Sequence, residues 1–156
     1  MDTSSLIEMK EKYPSDIFEK LWEKVDVLCK QGRFIAPIEV LKEIKQGDDE
    51  LKSWAKKKKG IFINPDENQI REVEIILSEY PFLARPGKTG PNADPWLIAL
   101  ARAKNSEERG KLLQNKYIIV TEESKVKQDR IPRVCLNYNI ECINLIELFR
   151  REGWRF

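Results

Sequence analysis

Seven residues opened by Asp94, Pro95-Trp96-Leu97-Ile98-Ala99-Leu100-Ala101, are apolar nearly all the way round a helical turn. A helix of that kind offers no face to water, so it has to be buried, and a sheet is the cover it calls for. The chain supplies strand-like runs at intervals. Tyr117-Ile118-Ile119-Val120-Thr121 is a continuous apolar run suited to a central parallel strand. Arg33-Phe34-Ile35-Ala36, Ile61-Phe62-Ile63 and Glu141-Cys142-Ile143 are shorter ones.

Between these runs the spacing turns helical. Phe18, Leu21, Trp22, Val25, Leu28 and Cys29 mark an amphipathic helix over 15–30, with Pro14-Ser15 as its start and Gly32 as its stop. Further helices are predicted over 37–46, 48–58 and 66–79, around 132–138, and from about 144 to 151, with a Pro/Gly-rich loop over 81–91 and a polar stretch at 104–111. Strands alternating with helices predict an α/β fold: a three-layer α/β/α sandwich with a mainly parallel central sheet, as one domain over 1–156. In such sheets, sites gather at the carboxyl ends of the strands.

The chemistry is narrowed most by a residue that never occurs: there is no histidine. That excludes Ser-His-Asp and Cys-His nucleophile pairs, histidine acid–base hydrolysis and zinc sites built on imidazole. A hydrolase of this composition has to work with carboxylates and a hard metal ion. The three cysteines, Cys29, Cys135 and Cys142, lack CxxC spacing and read as small buried hydrophobes. The formal charge of +2, from 28 basic and 26 acidic residues, says nothing about partners. Lys56 to Lys59 reads as a solvated helix end or a phosphate contact. No apolar run approaches a membrane span, and the N-terminal residues lack a signal peptide's basic start and apolar stretch, so a cytoplasmic protein without a membrane partner is expected.

Four carboxylates stand out by position. Asp2, in Asp2-Thr3-Ser4-Ser5, reads as a turn or helix cap on its own, and Asp94 before Pro95 makes a good N-cap pair. Glu39 and Glu43 lie four apart on one helix. At about 100° per residue, Glu43 falls roughly 60° from Val40 and points inward, while Glu39 falls roughly 100° from it and reads as solvated. Glu122 and Glu123 follow the strand that ends at Thr121, and alternation puts Glu123 on the side of Thr121. Together, Asp2, Glu43, Asp94 and Glu123 could converge to hold Mg²⁺ or Mn²⁺ through oxygen ligands and activate a water against a phosphodiester.

These residues carry a family resemblance. Asp2-Thr3-Ser4-Ser5-Leu6-Ile7, Tyr13-Pro14 with Phe18 and Trp22, Pro37 to Glu43, Ala93 to Ala101, Val120-Thr121-Glu122-Glu123, Ile131 to Cys135 and Leu148 to Trp154 together resemble the PIN domain superfamily, and more closely its DUF4411-type family of unknown function. The resemblance covers essentially the whole chain. It implies a Mg²⁺- or Mn²⁺-dependent endoribonuclease, the toxin of a prokaryotic toxin–antitoxin pair, with RNA as substrate, a protein antitoxin as partner and a homodimer as the plausible assembly. Asp2, Glu43, Asp94 and Glu123 match its four motif acids in order, with Thr121 as the motif threonine and Ser4 in support. The sequence departs from the pattern twice: the first strand is truncated to Met1, and the fourth acid is Glu where most members have Asp. The alternative is a PIN-like module that binds RNA or protein without cutting.

Lys88, Arg85 and Lys125, with Lys127 and Arg130, are the basic candidates for phosphate contacts, and a plain solvated surface is the competing reading of each. A nucleotide-binding loop at Gly87-Lys88-Thr89 is a poor third reading. Phe82 stands where the earlier glycine belongs, and no strand leads into it.

Overall fold

The computed structural model describes residues 1–47 and 49–156. Asp48, read as the first residue of the 48–58 helix, lies outside the described residues. The first helix, α1 (Thr3–Lys12), is not among the predicted helices, where Asp2 offers only a turn or cap; α2 (Glu19–Lys30), α3 (Ile38–Gln46), α4 (Asp49–Lys57), α5 (Glu67–Glu79), α6 (Asp94–Glu108), α7 (Ile131–Asn137) and α8 (Leu145–Arg151) lie where helical signals stand. Caps account for several boundaries. Asp66 Oδ1 accepts from the N–H of Gln69 at 2.8 Å to open α5, and Asn144 and Glu147 form a reciprocal capping box on α8. Pro37 precedes α3 and Gly47 follows it. Residues 14–18 form a turn ahead of α2, with the N–H of Phe18 bonded to the carbonyl of Pro14 at 2.9 Å. α6 continues past its apolar run through much of the polar stretch at 104–111, and a 3₁₀ turn occupies Pro81–Ala84.

The sheet departs from expectation. Among the described residues there are four strands of two residues each, β1 (Ala36–Pro37), β2 (Phe62–Ile63), β3 (Ile119–Val120) and β4 (Cys142–Ile143). They make two separate parallel ladders, β1 with β2 and β3 with β4. The three-layer sandwich with a central sheet is therefore not what forms: the molecule is a helix-rich α/β fold around two short ladders. The reason is positional. A strand needs neighbours along its length, and only Met1 and Asp2 lie between the ladders. The Met1 amine faces the carbonyl of Ile35 at 3.5 Å, and the N–H of Asp2 donates to the carbonyl of Val120 at 3.0 Å. Upstream of that stitch, residues 33–35 and 115–118 face a cavity of about 460 Å³. The enclosed Met1 amine is pushed by desolvation to a pKa of about 6.

The core is divided. One cluster gathers α1 to α4, β1, β2 and α8, through residues such as Leu6, Met9, Leu21, Val40, Leu51 and Phe149. The other gathers α5, α6 and α7 through Val73, Ile76, Ile98, Ile131 and Val134. β3 feeds both, since alternation sends Ile119 into the second cluster and Val120 into the first. The apolar helix α6 is buried as expected, with Ile98 and Ala99 fully enclosed. No helix among the described residues is long and apolar enough to cross a membrane. Cys135 is buried, Cys29 and Cys142 are half-buried, all three are free, and burial pushes the Cys29 thiol up to about 11.

Candidate functional site

Asp2 is held through both carboxylate oxygens. It caps α1 by accepting the N–H of Ser5 on Oδ1 at 2.7 Å. Its other oxygen, Oδ2, accepts the hydroxyls of Ser4 at 2.7 Å and Thr121 at 2.5 Å. Thr121 Oγ1 in turn accepts the N–H of Glu123 at 3.1 Å. A single buried threonine at the end of β3 thus ties the first acid to the backbone of the fourth.

Glu43, on α3, takes a hydrogen bond from Thr3 Oγ1 on Oε2, and the N–H of Ala93 at 3.1 Å on Oε1. Glu123 accepts the N–H of Ile131, at the start of α7, at 2.9 Å. Asp94 lies within the first turn of α6 and not at its N-cap, which is Ala93, so its carboxylate is not used as a cap. It is 9% exposed. Burial pushes its pKa up to about 6; Arg85 opposes the shift, while the charges of Glu123, Glu43 and Asp2 reinforce it. Each of the other three acids acts electrostatically on Asp94, and the four stand together.

Two cations close the cluster. Arg85 Nη2 lies 2.5 Å from Asp94 Oδ2 and 2.9 Å from Glu123 Oε1, and Lys88 Nζ lies 2.7 Å from Glu43 Oε1. Toward Glu123 the guanidinium makes a hydrogen bond. Toward Asp94 it provides charge without hydrogen-bond direction, and Asp94 Oδ2 stays buried with no donor aimed at it. Among the described residues, no three acidic, cysteine or histidine groups are arranged as a ready set of metal ligands. The chemistry of the donors nevertheless suits a hard divalent cation: four carboxylates, one with an unsatisfied buried oxygen, and positive side chains drawn in from a loop to balance them.

The other predicted contacts fall outside the cluster. Lys125 pairs with Glu147 at 2.8 Å, and Arg130 with Asp129 at 3.1 Å. Lys58, within the basic run, pairs with Asp26 at 2.6 Å. Glu39 is not solvated: it is 6% exposed, with Oε1 beside Lys42 at 3.2 Å and Oε2 without a partner. Sequence reasoning missed Thr3 and the backbone N–H groups of Ala93 and Ile131. Pro95 and Pro132 were the available signals, because helix starts leave free N–H groups for nearby carboxylates.

The family described as a domain of unknown function, DUF4411, matches residues 1–156. The chain belongs to that family. Among curated proteins and among solved structures, nothing matches it. For this DUF4411 chain, then, chemical assignment has to come from the acids and the two cations set against them.

Proposed function

We propose that the chain is a PIN-like, Mg²⁺- or Mn²⁺-dependent endoribonuclease, the toxin of a prokaryotic toxin–antitoxin pair with a protein antitoxin as its partner. The observation that carries this reading is the buried Asp94 carboxylate, gathered with three other carboxylates and balanced by the Arg85 guanidinium. An anionic oxygen shut away from water needs compensation, and oxygen-rich clusters of this kind suit hard cations. The order of the four acids along the chain, with Thr121 two residues before Glu123, supports the same reading.

In it, Asp2, Glu43, Asp94 and Glu123 would hold the cation. When bound, that cation would lower the pKa of a water and stabilise charge developing on the phosphodiester. The chain's own residues orient and balance. Ser5 holds one oxygen of Asp2 while Ser4 and Thr121 hold the other, and the N–H groups of Ala93 and Ile131 hold Glu43 and Glu123.

The test is cleavage of a labelled structured RNA with Mn²⁺ or Mg²⁺, against an EDTA control and Asp94→Asn prepared in parallel. Cutting that needs both the metal and Asp94 supports the proposal. RNA retained without cutting would replace the enzyme with a binding module.

A further inference from the structure

Arg85 is in an unusual state for a side-chain-bearing residue. It ends the 3₁₀ turn at Pro81–Ala84 with φ 48° and ψ 64°, in the left-handed region that residues other than glycine avoid, directly before Pro86. The loop it opens turns back twice through glycines, Gly87 at φ 91° and Gly90 at φ 102°. At Gly90 a side chain would strike the Gln46 amide at 2.6 Å, so the loop lies directly on α3. Asn92 anchors its far end by donating to the carbonyl of Leu83 at 2.5 Å.

The product of this geometry is two cations, three residues apart, laid over the acids: Arg85 across Asp94 and Glu123, Lys88 on Glu43. Their side chains remain 38% and 35% exposed, whereas the three carboxylates they touch are 12%, 15% and 13% exposed. The acids are fixed and enclosed, and the bases reach them from solvent on flexible stems.

We propose that Arg85 and Lys88 are displaceable counter-ions, which occupy the carboxylates in the metal-free protein and transfer to a phosphate of the RNA strand when a divalent cation takes their place. This rests on the ribonuclease reading and adds to it a competition inside the site. One guanidinium nitrogen, Nη2, bridges an oxygen of each of two carboxylates, and the same charge and N–H groups suit the oxygens of a phosphate. Arg85 dominates because it bridges two acids, one of them the most enclosed; Lys88 touches one.

The test is Mn²⁺ titration calorimetry on the full chain at low salt, with wild type, Arg85→Gln, Lys88→Gln and Asp94→Asn. Arg85→Gln is expected to bind Mn²⁺ roughly tenfold tighter than wild type, because a competing charge is gone, and Lys88→Gln to gain less. Binding of a labelled RNA oligonucleotide in Ca²⁺, followed by anisotropy, is expected to weaken in Arg85→Gln. A residue that only props up the fold would not strengthen one ligand while weakening the other. Arg85→Gly, which relieves the left-handed backbone, is a second variant should the glutamine protein fold poorly. Wild-type Mn²⁺ binding that Asp94→Asn abolishes but neither Arg85 variant improves overturns the counter-ion proposal and leaves the nuclease reading in place. No Mn²⁺ binding by any variant overturns both.

Discussion

The short ladders have two ends, and the ends contrast. Beyond the carboxyl ends of β1 and β3, carboxylates crowd together and two basic side chains close over them. Before the amino ends lies a cavity of about 460 Å³, lined by Val25, Leu28, Phe34, Ile118 and Leu148 with a rim of surface ion pairs such as Arg33–Glu152 at 2.6 Å. The open end holds charges already matched in pairs, whereas the closed end holds four carboxylates against two basic side chains. Unbalanced electrostatics, more than empty space, marks where a ligand is needed.

The strongest way to break this contrast is Asp94→Asn. A rise in pKa from 3.8 to about 6 means that the ionised group costs about 3 kcal/mol in the folded state at neutral pH, at about 1.4 kcal/mol per unit. Asp94→Asn is therefore expected to raise stability in urea denaturation at pH 7.5 by up to that amount while abolishing Mn²⁺ binding. A destabilised variant that still binds Mn²⁺ would remove the site. The sign can be followed with pH. Between about 6 and 3.8 the folded chain holds the Asp94 proton more tightly than the unfolded chain, so acidification restores what ionisation cost. The stability advantage of Asp94→Asn should accordingly be full above pH 6 and fade toward pH 4.

At the open end, Leu28→Ala enlarges a cavity that already exists. It is expected to cost about 2 kcal/mol, the low side for a buried leucine, with Mn²⁺ affinity unchanged. Loss of metal binding in that variant would mean that the two ends are not independent. Thr121→Val leaves Asp2 Oδ2 and the N–H of Glu123 each short of a partner, for an expected cost of about 1–2 kcal/mol in thermal unfolding and a weaker Mn²⁺ affinity. Arg33→Gln breaks a partly exposed pair with Glu152 and should change stability by less than about 1 kcal/mol, with no effect at the acids.

Local signals were the readable ones. Pro37 and Gly47 bracket α3, Asp66 opens α5, and the all-round apolar run from Pro95 foretells the burial of α6. Asp2 was legible as a cap as well as an acid, and it is both. What could not be read depends on which segments lie side by side. Tyr117 to Thr121 looks like a full strand, yet only Ile119 and Val120 belong to β3, because the space beside the residues before them is cavity. The wheel drawn around Val40 left Glu39 in solvent because a wheel counts one helix and knows nothing of what packs on its other side. Arg85 and Lys88 were candidates for phosphate, but nothing in their spacing reveals that they sit on carboxylates. That depends on a left-handed residue and two glycine turns, a path set by tertiary packing.

The divided core gives the acids a further significance. Asp2 and Glu43 ride on α1 and α3, which pack in the first cluster; Asp94 rides on α6, and Glu123 is held by the start of α7, both packed in the second. A cation shared by these carboxylates would bolt two separately packed halves together. At a hundredfold excess over its dissociation constant, such a ligand adds about 2.7 kcal/mol to the folded state. Because opening either half would forfeit the ligand, amide exchange should slow on both sides of β3 and not only around the acids, making one small ion the fastener that lets two cores open and close as one.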